Sequence, residues 1–194
     1  FGAVKNTPER WEEWWTDNQA ALRESFAKDF QATEASGRVA AVKTLAGAKE
    51  ETTVKLLAGA LKDSSLEVRK AAAETLEAST DGAGVAIKPL GDILADKKED
   101  LELRLACGKA LSKSRYKGEA FPFFFKTISE VQPEEKHLHK FGYQVTVLLD
   151  GYIGKSFGAV KNTPERWEEW WTDNQAALKK DDEKKRGEWK LEGK

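Results

Sequence analysis

Three segments of this chain place apolar or small residues at i, i+4 and i+8, and that recurrence constrains the fold more than any other feature. Gly37, Ala41 and Leu45 form the first set, Val68, Ala72 and Leu76 the second, and Leu103, Cys107 and Leu111 the third. A basic residue follows the first member each time: Arg38, Arg69 and Arg104. The sets are offset by 31 and 35 residues, and a poorer fourth match, His139, Tyr143 and Val147 with Lys140, follows at 36. The spacing predicts one buried stripe on a helix in each case; these are the A helices. Between them, Val54, Leu57 and Leu61, then Ile87, Leu90 and Leu94, then Phe121, Phe124 and Ile128 repeat an i, i+3, i+7 pattern, the B helices. An acidic residue follows two places later in each: Asp63, Asp96 and Glu130. Ser64 with Glu67 reads as a capping box opening the second A helix. Helix pairs recurring at this period predict an all-α stacked solenoid.

The stretch Val68-Arg69-Lys70-Ala71-Ala72-Ala73-Glu74-Thr75-Leu76 resembles the A helix of HEAT repeats, and the resemblance covers about Gly37 to Ser156. Pro89 and Pro122 inside the B segments fit that family as well. The resemblance implies an armadillo-like solenoid of antiparallel helix pairs and an Asp–Arg ladder between repeats. Asp63 with Arg69 has the ladder spacing, while Asp96 with Arg104 is two residues longer. It implies protein binding, and a concave surface lined by B helices, on which Lys55, Lys88, Asp92 and the aromatic run Phe121, Phe123, Phe124 and Phe125 are candidate contacts.

A second repeat is exact. Residues 1–22 and 157–178 both read FGAVKNTPERWEEWWTDNQAAL, at an offset of 156. Each copy has its own helix start, Thr7-Pro8-Glu9 and Thr163-Pro164-Glu165. Trp11, Trp14 and Trp15 then share one helical face with Asn18 and Leu22, as Trp167, Trp170 and Trp171 share one with Asn174 and Leu178. In the first copy Phe26 and Phe30 prolong the stripe, so that helix is expected to run to about residue 35; in the second the stripe stops at Leu178. Both copies stand in B-helix positions at the ends of the array. The second is expected to pack on Phe141 to Ile153 and beside the third B helix, whose consecutive Phe residues need a cover. The expected organisation is one solenoid over 1–178 (1–35 the N-terminal Trp helix, 37–156 the repeats, 157–178 the C-terminal Trp helix) and a charged, flexible tail over 179–194.

Composition narrows the function. The chain has 194 residues, 34% of them charged, and a net charge of −1, which provides no overall field for nucleic acid or an anionic membrane. No apolar window approaches the roughly 18–20 residues a membrane span needs. Cys107 is the single cysteine and reads as a small buried hydrophobe. Six of the seven Trp lie in the two identical segments, so the Trp excess is a duplication effect. A chain that opens at Phe1 and has no Met reads as cut, processed or built, which slightly favours an extracytoplasmic compartment.

The motifs that suggest chemistry are incomplete. Gly151-Tyr152-Ile153-Gly154-Lys155-Ser156 lacks the leading glycine of a phosphate loop, whose place is held by Leu149, and Gln144 to Leu149 before it has strand-like composition. Glu134 and His137 have di-iron spacing without a second such pair. Glu12-Glu13 and Glu168-Glu169 are neighbours on a helix and point apart, unlike the opposed acids of a glycosidase. Asp92 and Asp96 lie one turn apart with no metal-binding partner. The expectation is therefore a non-catalytic scaffold with no cofactor and no metal, binding a protein partner, and self-associating through its duplicated Trp helices. The alternative is a structural subunit of a head-to-tail or domain-swapped assembly; a nucleic-acid-acting protein ranks below both.

Overall fold

The computed structural model describes residues 33–47, 50–79, 84–130, 139–156 and 164–192. The first Trp segment, with Trp11, Trp14 and Trp15, lies outside the described residues, as do Thr163, Glu134 and His137. Eight helices are described: α1 (Ala35–Thr44), α2 (Glu51–Ala60), α3 (Leu66–Ala78), α4 (Ile87–Ala95), α5 (Leu101–Leu111), α6 (Lys117–Ser129), α7 (His139–Ile153) and α8 (Pro164–Glu192).

They alternate between two rows. Helix α3 packs on α1, α5 on α3 and α7 on α5, while α6 packs on α4 and α8 on α6. The rows are tied by α2 on α3, α4 on α5 and α6 on α7. The stripes explain this. Val54, Leu57 and Leu61, Ile87, Leu90 and Leu94, and Phe121, Phe124 and Ile128 are all buried, as are Val68, Ala72 and Leu76 and Leu103, Cys107 and Leu111. Small residues at the middle A position let adjacent helices approach, and burial pushes the Cys107 thiol up to about 12. No helix among the described residues is long and apolar enough to cross a membrane.

Four expectations are corrected. The fourth A stripe is Phe141, Val145 and Leu149, which are buried, rather than His139, Tyr143 and Val147, which are exposed. Both sets have helical spacing; contact with α5 and α6 selects the larger set, and Arg104 lies 4.4 Å from the Phe141 ring centre. Second, the N-cap position of α3 is one residue later, at Ser65, whose hydroxyl donates to the Glu67 carboxylate and makes no cap bond to the helix backbone, while the Ser65 N–H donates to Asp63 Oδ1. Third, the strand-like composition of Gln144 to Leu149 is overruled, the segment being helical as its place in the fourth A helix predicts, and Gly154, at φ +77, ends α7 by a turn in which Gly154 N–H donates to the Asp150 carbonyl.

The fourth correction is the tail. Helix α8 runs without a break through the charged segment to Glu192. Its inward stripe, Trp167, Trp170, Trp171, Asn174 and Leu178, continues in phase through Asp182, Lys185 and Arg186. The same helical face changes from aromatic to ionic and stays in contact with the body.

Candidate functional site

Helix α8 is seated on α6 by an aromatic cluster followed by an ionic one. Trp167 is fully buried. Its ring centre is 5.8 Å from Phe121 and 5.8 Å from Trp170, which it meets edge-on. Trp171 stacks on Phe121 at 4.5 Å, and Phe125 stacks on the same ring at 6.1 Å. Such pairs add to the burial of large apolar area. The Phe run is thereby divided: Phe121 takes the Trp helix, Phe124 faces Tyr152 of α7, and Phe123 lies over Gly91 of α4, where a Cβ would collide with its ring. Phe123 and Phe125 are half-buried.

The ionic half fastens the same two helices. Asp182 is 1% exposed, and its Oδ2 accepts from the Glu119 N–H at 2.9 Å. Helix α6 has no side-chain cap of its own at Tyr116, so Asp182 supplies an acceptor for its first turn from a distant helix. Arg186 grips Glu119 with two bonds, Nε to Oε1 at 2.8 Å and Nη2 to Oε2 at 2.5 Å, and lies 4.7 Å from the Tyr116 ring centre. Lys185 Nζ donates to the Arg115 carbonyl at 2.9 Å. At the crossing point stands Gly118, where a Cβ would lie 2.9 Å from the Leu178 carbonyl carbon and 2.9 Å from the Lys179 nitrogen.

Burial pushes the Asp182 carboxyl above its ordinary value, and the Glu119 and Gly118 N–H groups pull the other way. A carboxyl group with a raised folded pKa binds its proton more tightly in the folded chain, so acidification through that pKa adds stability. Asp182→Asn keeps an acceptor oxygen and removes the charge. It is expected to match or exceed the wild type in thermal melts at about pH 7, with the wild type gaining on it toward about pH 4. A variant clearly less stable at neutral pH would show that the ionised carboxylate is needed.

The ladder between repeats exists in another register. Asp63 bonds to Arg38, at 2.8 and 2.9 Å, and not to the Arg69 side chain by its carboxylate. Arg69 instead donates to the Asp63 carbonyl at 2.9 Å and meets Glu99 at 3.2 Å. The cause is the row geometry: the loop entering α3 lies beside α1, and the loop entering α5 lies beside α3. Lys70 forms a parallel rung with Asp100 and Glu102. Arg104 does not pair directly with Asp96; its Nε donates to the Leu94 carbonyl at 2.9 Å. Hydrogen bonding to Arg38 holds the Asp63 carboxyl below its ordinary value, and Lys70 does the same for Asp100.

Lys55 and Lys88 face solvent and pair along their own helices with Glu51 and Asp92. On the other row, an open groove between α5 and α7 is lined by Leu101, Glu102, Leu105, Lys140, Phe141 and Gln144. Leu101 is 37% exposed at its edge, and Tyr143 and Val147 are 53% and 47% exposed on α7. Sequence reading misses this strip, because helical spacing alone places Tyr143 and Val147 in the core. It also misses Gly118, Glu119, Asp182, Lys185 and Arg186; the signal available for the last three is the unbroken helical phase after Leu178.

Residues 24–112 match the family model of HEAT repeats. No curated protein and no solved structure matches the chain.

Proposed function

Because residues 24–112 match the family model of HEAT repeats and the described residues form stacked helix pairs, we propose that the chain is a non-catalytic scaffold for protein–protein interaction. The observation that carries this reading is the apolar strip on α5 and α7. Leu101 stands exposed in a groove lined also by Glu102, Leu105, Lys140, Phe141 and Gln144, and Tyr143 and Val147 are exposed on α7, which forms one wall of it. Grouped exposed apolar side chains with a polar rim suit a protein partner. The net charge of −1 favours such a partner over nucleic acid. The double variant Leu101→Ser and Val147→Ser is expected to lower partner capture by on the order of tenfold in cross-linked pull-downs, with helicity unchanged by circular dichroism. Capture of the same proteins at wild-type yield overturns the proposal.

A second reading has its own observation. The seat on α6 holds a segment whose sequence occurs twice in the chain, so self-association through the Trp helices, as a structural subunit of a head-to-tail or swapped assembly, is supported by chemical identity. Light scattering over a concentration series tests it. Association that disappears when Trp11, Trp14 and Trp15 become Ala supports it, and a monomer at every concentration removes it.

A further inference from the structure

The α6 seat is one receptor with two plugs. Residues 164–178, the first half of α8, are identical to residues 8–22. The contacts that Trp167 and Trp171 make with Phe121 are therefore chemically open to Trp11 and Trp15. What separates the copies begins beyond Leu178. At the common offset, Asp182 corresponds to Phe26, Lys185 to Asp29 and Arg186 to Phe30. A helix carrying Phe26, Asp29 and Phe30 into the seat would leave the Glu119 N–H without the Asp182 acceptor, Glu119 without its two-bond partner, and the Arg115 carbonyl without Lys185. Its first half fits and its second half does not.

We infer that the α6 seat is exchangeable: residues 8–22 of a second copy of this chain compete with α8 for it, and the latch of Asp182, Lys185 and Arg186 on Arg115 and Glu119 decides for α8. This rests on the self-association reading above. The competitor comes from a second copy because the duplicated segment and the seat belong to opposite ends of the array: α1, which follows residues 8–22 in the chain, begins the row that α7 ends beside the seat. A second copy also meets a prepared surface. Among the described helices α7 ends its row, and Tyr143 and Val147 are exposed on it. In the helix order of the fold, the α1 that follows a docked N-terminal copy enters beside α7. Such a contact joins unlike faces and repeats from chain to chain, giving rings or open filaments.

The test uses the full-length chain in light scattering at stepped concentrations. Arg186→Ala and Glu119→Gln each break the latch, and the second keeps the side-chain shape. Each is measured with and without Trp11→Ala, Trp14→Ala and Trp15→Ala, with helicity checked by circular dichroism. Both latch variants are expected to self-associate at a concentration on the order of tenfold lower than wild type, the equivalent of one charge-assisted hydrogen bond. Replacing the three N-terminal Trp residues is expected to restore the monomer. Folded latch variants with no shift overturn the inference, as does a shift that persists without those Trp residues. If wild type and latch variants associate equally, and only through the N-terminal Trp residues, self-association stands and the latch falls. No association in any background removes both.

Discussion

Trp167→Ala is expected to cost about 3–5 kcal/mol, the range for deleting a fully buried large aromatic. Among the described residues Trp167 is the largest side chain with no exposure, and it lies in contact with both Phe121 and Trp170. Its removal leaves a void that neighbouring groups close only partly. The Phe121 ring is in stacked contact with both Trp171 and Phe125, so it has little freedom to collapse inward. Trp170 and Trp171 retain partial exposure, and each is expected to cost less, roughly 1–3 kcal/mol. Urea unfolding followed by helicity measures the order. A loss below about 1.5 kcal/mol for Trp167→Ala would mean that α8 contributes little to the fold. For a chain of this size the expected loss corresponds to a fall in Tm of roughly 6–20 °C.

The same helix shows where sequence reasoning reaches and where it stops. The aromatic half of α8 was legible because Trp167, Trp170, Trp171 and Leu178 are apolar at helical spacing, and burial is their common fate. The ionic half was not. Asp182 and Arg186 sit in a run of mixed charge that composition assigns to water, and only the position of Glu119 and of the first turn of α6 makes burying them favourable. The row helices divide in the same way. Leu57, Leu90 and Phe124 follow from period alone, since one stripe fits. In α7 two stripes have the same spacing, two residues apart, and the choice is made by Arg104 and the faces of α5 and α6. The ladder needed tertiary knowledge too: Asp63 has one arginine six residues ahead and another 25 behind, and the side-by-side placement of α1 and α3 gives its carboxylate to the distant one.

Gly118→Ala separates two opposing effects of one methyl group. In an isolated helix the change is favourable by about 1 kcal/mol, because alanine loses less backbone freedom on folding. In α6 the new Cβ would stand 2.9 Å from backbone atoms of Leu178 and Lys179. Those atoms cannot turn aside as a side chain does, so the helices must part. Parting them loosens the Asp182 bond to Glu119 and the packing of Trp167 on Phe121 together, since both, like Gly118, join α6 to α8. The expected net loss is about 1–3 kcal/mol, in the range of overpacked cores. Gly151→Ala supplies the reference. That glycine is exposed in α7, and a methyl group added there would meet open space; the change is expected to stabilise by about 0.5–1 kcal/mol. The two variants therefore move Tm in opposite directions. Equal gains from both would mean that α8 does not approach α6 closely enough for the latch to form, and the selection of α8 over the N-terminal copy would lose its structural basis.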